Sequence, residues 1–171
     1  MPDREVATPD AEHLYALLLE QLKRDLGGAA SSLRLVGIHS GGVWIAKRLH
    51  RDLGLSAAPG TLDISFYRDD FHRIGLHPQV KPTAIPFEVE GASLLLVDDV
   101  LYTGRTIRGA MNVLFDYGRP ARIDLAVLID RGGRELPIDA RWAGARVPLP
   151  AGRDFVLAED EAGQFRFEIE H

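Results

Sequence analysis

Between Val97 and the helical period that opens at Ile107, the chain reads Asp98-Asp99-Val100-Leu101-Tyr102-Thr103-Gly104-Arg105-Thr106. This is a strand end, two carboxylates, a short turn and a helix N-terminus. Unpaired N–H groups and the positive end of the helix dipole favour a phosphate there, Gly104 lets the backbone approach it, and Thr103 and Thr106 add hydroxyl donors. Two adjacent carboxylates repel a phosphate, so they must face a different part of the ligand. A pentose carrying a 5-phosphate satisfies both halves, its hydroxyls donating to Asp98 and Asp99. The same residues also allow a plainer reading, in which the carboxylates cap the turn and Thr103 to Thr106 only start a helix.

Two further glycine turns follow apolar strands. His39-Ser40-Gly41-Gly42 enters a helix, where it either offers N–H groups to an anion or serves tight strand–helix packing. Arg131-Gly132-Gly133-Arg134 follows the last inner strand, and on residue types alone it is either a site segment or a solvated arginine pair in a turn. The stretch Arg68 to Pro86 holds three prolines and the cations Arg68, Arg73 and Lys81 beside His72 and His77. It has no sustained period, and a loop of that length in a compact domain is usually a lid or binding loop. Trp44 and Trp142 are read as packing or interface residues, and the six histidines show no metal-ligand spacing.

Positioning these residues takes alternating elements. Leu14, Leu17, Leu18 and Leu22 recur at helical spacing before Gly27-Gly28, and Leu33 to Ile38 reads as a strand. A helix carrying Val43, Ile45, Ala46 and Leu49 comes next, then a strand over Thr61 to Tyr67. Leu94-Leu95-Leu96-Val97 and Ile123 to Ile129 are continuous apolar runs of strands covered on both faces, separated by a helix whose face is Ile107, Ala110, Met111, Leu114 and Tyr117, closed by Gly118. Phe155 to Ile169 is a hairpin candidate. The order predicts an α/β fold, a doubly wound parallel sheet in one domain over residues 1–171. Ligands of such sheets sit beyond the carboxyl ends of the strands, after Ile38, Val97 and Ile129.

Composition narrows the function. With 20 Lys plus Arg against 25 Asp plus Glu, the formal charge is −5, which argues against wrapping nucleic acid over most of the surface. The absence of cysteine excludes disulfides, thiolate metal sites and a thiol nucleophile. No apolar run approaches a membrane span and the N-terminus has no apolar signal segment, so the expectation is a cytoplasmic protein.

The run LLLVDDVLYTGRT resembles the phosphoribosyl-pyrophosphate (PRPP) signature of type I phosphoribosyltransferases. Its Val-Leu-Tyr variant resembles the pyrimidine-operon regulator and uracil phosphoribosyltransferase family. Leu62 to Asp70, Ile85 to Phe87, Asp116 to Pro120 and Leu125 to Ile138 resemble that family in the same order, so the likeness spans about residues 33 to 150. It implies that fold with a small accessory hood of short strands, and transfer of ribose 5-phosphate from PRPP to uracil to give UMP and pyrophosphate. By this resemblance Asp98 and Asp99 meet the ribose hydroxyls, with Val100, Leu101 and Tyr102 leading into the phosphate turn Thr103, Gly104, Arg105 and Thr106. Ser40, Gly41 and Gly42 would hold pyrophosphate, although the family's usual Thr-Arg-Gly turn is absent. Arg131, Gly132, Gly133 and Arg134 would approach the base, with Asp98, Asp99 and Arg131 as the residues closest to the chemistry. The long loop resembles the family's lid. Mg²⁺ is implied with the pyrophosphate, held mainly by substrate oxygens and water. The likeness also implies a dimer or larger homo-oligomer, and it leaves a competing expectation, an RNA-binding attenuator that senses uridine nucleotides in the same pocket and binds leader RNA of pyrimidine genes with little physiological catalysis. Any RNA face would rest on the arginine-rich stretches Arg119 to Arg122 and Arg131 to Arg146, above all on the arginines around Arg141 and Arg146, since the chain has only three lysines.

Overall fold

The computed structural model describes residues 6–65 and 83–171. Helix α1 (Ala11–Leu26) begins at Asp10, whose side chain accepts the His13 N–H at 3.2 Å and caps an orphan donor of the first turn. Leu14, Leu18 and Leu22 form its buried stripe, as their spacing predicts, and Gly27 ends it at φ 49°. The remaining elements are β1 (Leu33–Ile38), α2 (Gly41–Asp52), β2 (Gly60–Leu62), β3 (Ser93–Leu101), α3 (Arg105–Asp116), β4 (Arg122–Asp130), β5 (Trp142–Arg146), β6 (Asp154–Glu159) and β7 (Phe165–Glu170).

Five strands form one sheet in the order β2-β1-β3-β4-β5, all neighbours parallel. Alternation along the central strands divides the core. Leu95, Val97, Ala126 and Leu128 pack with α1 and α2, while Leu94, Leu96, Leu125 and Val127 pack with Ile107, Ala110 and Leu114 of α3. Burial on both faces is why β3 and β4 read as continuous apolar runs. From β1 the chain moves to β2 on one side and returns to β3 on the other, so strand order reverses between β1 and β3, where such folds bind ligands.

The tail forms an antiparallel hairpin of β6 and β7, the expected hood. Its Phe155, Leu157, Phe165 and Phe167 are buried in the same cluster as α1 and α2. Edge-to-face ring pairs, Phe155 with Phe167 and Phe165 with Tyr15, each have centroids 5.9 Å apart.

Four sequence expectations need correction. Strand β3 does not stop at Val97 but continues to Leu101, so both carboxylates sit in the strand and the turn is shorter. Gly41 and Gly42 are already helical; the turn is confined to His39 and Ser40. The strand expected over Thr61 to Tyr67 ends at Leu62, because the Asp63 carboxylate takes the Ser65 N–H at 2.9 Å and bends the chain; Phe66 and Tyr67 lie outside the described residues. Strand β5 was not foreseen, since WAGAR has no alternation. It is held by tertiary contacts: Trp142 Nε1 donates to Asp25 at 2.8 Å, and Gln21 Nε2 to the Ala143 carbonyl at 3.0 Å. Most of the Arg68 to Pro86 loop lies outside the described residues; at its end Ala84 and Thr61 exchange two backbone hydrogen bonds at 2.8 and 2.9 Å.

The hairpin shares its apolar cluster with two helices, so Phe167→Ala is expected to cost about 3–5 kcal/mol. Urea unfolding followed by far-ultraviolet and near-ultraviolet dichroism should show one coincident, downshifted transition. A separate early transition of the aromatic signal would mean that the hairpin folds independently of the sheet.

Candidate functional site

Strand β3 pairs with β1 only as far as Val97, while its ladder with β4 continues to Leu101. The overhang carries Asp98, which is buried, and Asp99, which is half-buried. Asp98 Oδ1 accepts the Asp99 N–H at 2.9 Å and Asp99 Oδ1 accepts the Val100 N–H at 2.8 Å, so each carboxylate is oriented by the backbone beside it. Opposite lies the start of α2. A Cβ on Gly41 would come within 2.6 Å of Asp99 Oδ2, and one on Gly42 would overlap the Val97 carbonyl. Close strand–helix approach, one of the two readings left open for the glycine turn, accounts for both glycines. Gly42 is required by strand–helix packing, whereas Gly41 makes room for a carboxylate. The Gly41 and Gly42 N–H groups precede the first helical donor, Val43, which bonds the Ser40 carbonyl at 3.1 Å.

Gly104, at φ 95°, turns the chain from β3 into α3. Thr103 is buried and works structurally: its hydroxyl accepts the Arg105 N–H at 3.1 Å, and its carbonyl accepts the N–H groups of Glu135 and Leu136. Arg108 is the first residue to donate back within α3, so the N–H groups of Thr106 and Ile107 precede any intrahelical acceptor. The first turn holds no acidic residue to oppose an anion. Arg105 points outward and pairs with Glu135 at 2.9 Å.

The segment after β4 is organised by Asp130, only 4% exposed. Its carboxylate accepts the Gly132 N–H at 3.0 Å and Arg134 at 2.7 Å, and pairs with Arg146. Burial alone would raise the carboxyl pKa, but these hydrogen bonds and the two guanidinium charges outweigh it and hold Asp130 below the usual aspartate range. Gly132 and Gly133 adopt φ 74° and 77°, and Gly133 lies against the Tyr102 ring, where a Cβ would approach Cε2 to 2.5 Å. Arg134 also donates to the Tyr102 carbonyl at 2.7 Å. Arg131 is buried and donates to Asp154 at 2.8 Å. The arginines expected to be solvated or base-facing are thus largely held by protein partners.

A cleft of about 370 Å³ opens between the strand ends and the hairpin. Of the expected residues, Ser40, Gly41, Asp98, Asp99, Val100, Tyr102, Thr106 and Arg131 line it. Leu101, Thr103, Gly104, Arg105, Gly132, Gly133 and Arg134 are not among its lining residues. The sequence reading missed the walls made by Trp44, Glu170 and the β6 residues Asp154 to Leu157. For Trp44 the signal was present, since it falls one turn after the glycines. No local signal places the hairpin over the sheet. Among the described residues no cluster of three His, Asp or Glu forms a metal cage.

The depressed Asp130 pKa has a defined sign. Its contribution to stability is complete above the ordinary aspartate pKa of ~3.9 and is lost as pH falls through the lower folded value. Asp130→Asn should therefore be less stable than the wild type at pH 7, by about 2 kcal/mol. Urea midpoints at pH 7 and pH 3 should show this gap shrinking in acid. An equal gap at both would remove the linkage.

The family profile "Phosphoribosyl transferase domain" matches residues 6–160. A protein named "Bifunctional protein PyrR" from Ralstonia nicotianae is 52% identical over 155 residues, covering 90% of this chain and 88% of that protein. One of the same name from Pseudomonas aeruginosa is 59% identical over 121 residues, covering 71% of this chain and 70% of that one. Among solved structures, a hypoxanthine-guanine phosphoribosyltransferase from Bacillus anthracis superposes with TM-score 0.65 at 20% identity, covering 84% of this chain and 85% of that chain. A hypoxanthine phosphoribosyltransferase from Staphylococcus aureus gives 0.62 at 22%, covering 86% and 80%. At those identities the superpositions establish the fold. Taken with the carboxylate overhang and two helix N-termini on one cleft, the matches make this chain a phosphoribosyltransferase of the family that includes the bifunctional PyrR proteins.

Proposed function

We propose that the chain, acting as one domain in the cytoplasm, transfers ribose 5-phosphate from PRPP to uracil, releasing pyrophosphate. The observation that carries this reading is the convergence of Asp98, Asp99, the first turn of α3 and the start of α2 on one cleft. Asp98 and Asp99 accept hydrogen bonds from the ribose hydroxyls. Thr106 and the N–H groups of the first turn of α3 hold the 5-phosphate. Ser40 and the N–H groups of Gly41 and Gly42 face the pyrophosphate. The base lies against Trp44 and the β6 wall, read largely by backbone groups, as suits a small planar imide.

No nucleophilic side chain is needed. The bond from ribose C1 to the pyrophosphate oxygen breaks with its electron pair leaving on pyrophosphate, uracil N1 bonds to C1, and the N1 proton is lost. Carboxylates at the ribose and backbone dipoles at both phosphates stabilise the separating charges in a cleft that limits water. Mg²⁺ would enter with PRPP, and Asp98 and Asp99 offer the hard oxygen donors it prefers. It would screen charge on the leaving pyrophosphate.

The word "Bifunctional" in the relatives' name supports a second role in the same proposal. A homo-oligomer senses uridine nucleotides in this cleft and binds leader RNA of pyrimidine genes. The arginines expected to carry that contact are partly engaged already. Arg141 pairs with Asp124 at 3.2 Å and Arg146 with Asp130 and Asp139, although both remain about half-exposed.

With PRPP and Mg²⁺, a panel of uracil, hypoxanthine, guanine and orotate should yield UMP and no measurable purine nucleotide; robust purine turnover would overturn the uracil assignment. Asp99→Asn with Thr106→Ala should keep the fold and lose PRPP binding by calorimetry, and unchanged affinity would remove the ribose-phosphate assignment. RNA retention, if carried by two to four phosphate contacts on a single-stranded loop, should show a slope of log affinity against log salt of roughly −1.4 to −2.8. Arg141→Glu should weaken it, reduce the magnitude of the slope by roughly 0.7 and spare catalysis. A wild type that retains no pyrimidine leader RNA at low salt, with UMP present, would end the regulatory reading and leave the enzyme intact.

A further inference from the structure

Arg131 follows β4 directly and is the one cation among the described residues that line the cleft, so direct contact with the substrate is the obvious role to test first. Its surroundings argue otherwise. The side chain is 2% exposed. Nη1 donates to Asp154 Oδ1 at 2.8 Å, and Nη2 reaches the carbonyls of Leu149 at 3.4 Å and Pro150 at 3.3 Å. Nε is buried without an acceptor, so it offers no donor to the open cleft. The guanidinium lies over the Tyr102 ring, 3.9 Å from its centroid. Every observed contact of the charged group joins one part of the protein to another.

The parts joined are the ones that form the site. Asp154 is the first residue of β6, and the residues immediately after it form the cleft's outer wall. Leu149 and Pro150 belong to the segment leading into that strand. Tyr102 is the residue through which β3 enters the phosphate turn. Its ring is enclosed by the Arg131 guanidinium on one side and the close approach of Gly133, and its carbonyl is held by Arg134. One arginine thus ties the hairpin to the ring at the entrance of the phosphate turn, a span that no backbone ladder crosses among the described residues.

Building on the uracil-transfer reading, we propose that Arg131 is a positioning residue that sets the height of the hairpin wall over the base, acting through Asp154 and Tyr102. The planar fork is needed, because a guanidinium can stack on a ring while donating in its own plane to a carboxylate and two carbonyls, and an ammonium cannot. The hairpin stays attached through Phe155, Leu157, Phe165 and Phe167 when the clamp is cut. The wall then loses its fixed distance while Asp98, Asp99 and Thr106 are untouched. A displacement of about 1 Å at a reacting partner lowers rates by roughly 10²-fold.

The test is a double-mutant cycle of Arg131→Met and Asp154→Asn, read by KM for uracil, kcat and calorimetric PRPP affinity. Each single variant should raise KM for uracil by roughly 10- to 100-fold, with PRPP affinity within about threefold of wild type. The double variant should be no worse than the poorer single one, and Arg131→Lys should not rescue. If Asp154→Asn keeps the wild-type KM while Arg131→Met loses it, the arginine acts on the base itself and the proposal is overturned. Should Arg131→Met fail to fold, Asp154→Asn decides alone, and an unchanged KM for uracil overturns it. A wild type that transfers another base and not uracil refutes the uracil assignment instead; the same cycle, run on the base that is turned over, then judges the clamp.

Discussion

Strand β3 outruns its pairing with β1 by four residues, and the site is built on that overhang. A parallel strand buried on both faces is apolar along its shared length, and on β3 the charges come just where its ladder with β1 has ended. Asp98 and Asp99 occupy the first two positions past that limit. The same limit leaves space for the start of α2 to approach from one side and for α3 to begin just beyond. Moving the register by one residue would exchange the faces of the two carboxylates and drive one of them into the helix-packed core.

Around this overhang, polar and charged groups are used mostly to hold loops in place. Asp130 gathers Gly132, Arg134 and Arg146; Thr103 gathers Arg105, Glu135 and Leu136; Arg131 gathers the hairpin. Irregular backbone beyond a strand end has no ladder partners, and side-chain acceptors and donors take their place. This accounts for an arginine-rich segment in an acidic chain whose substrate is anionic. The cations stabilise loop geometry, and the starts of α2 and α3 beside the cleft carry backbone N–H groups that precede the helices' own acceptors.

Glycine marks the places where two elements come closest. Gly41 faces Asp99 and Gly133 faces Tyr102, each at a distance that a methyl group would close. The missing arginine of the family's usual pyrophosphate turn is consistent with this economy. The start of α2 is pressed so closely on β3 that glycine backbone borders the cleft there, with Ser40 just before it and Trp44 just after.

Sequence alone determined the features that depend on short-range chemistry. The apolar run into Asp98-Asp99, the Gly104 turn and the helix after it, α1 with its glycine stop, the parallel sheet and the C-terminal hairpin were all legible, because each rests on periodicity or a turn residue within a few positions. Tertiary structure alone decided the rest. Strand β5 has no alternation and exists because α1 and β4 hold it, with Trp142 bonded to Asp25 across 117 residues. Arg131 reads as a solvated loop cation or a base contact, and nothing local shows that its partner is Asp154, 23 residues away. Trp44 and the β6 wall likewise became part of the cleft only once the hairpin docked on the helices. A long-range pair leaves no local signature, since a charged or aromatic side chain has the same helix or loop preference whichever partner it finds, and only the packed fold selects that partner.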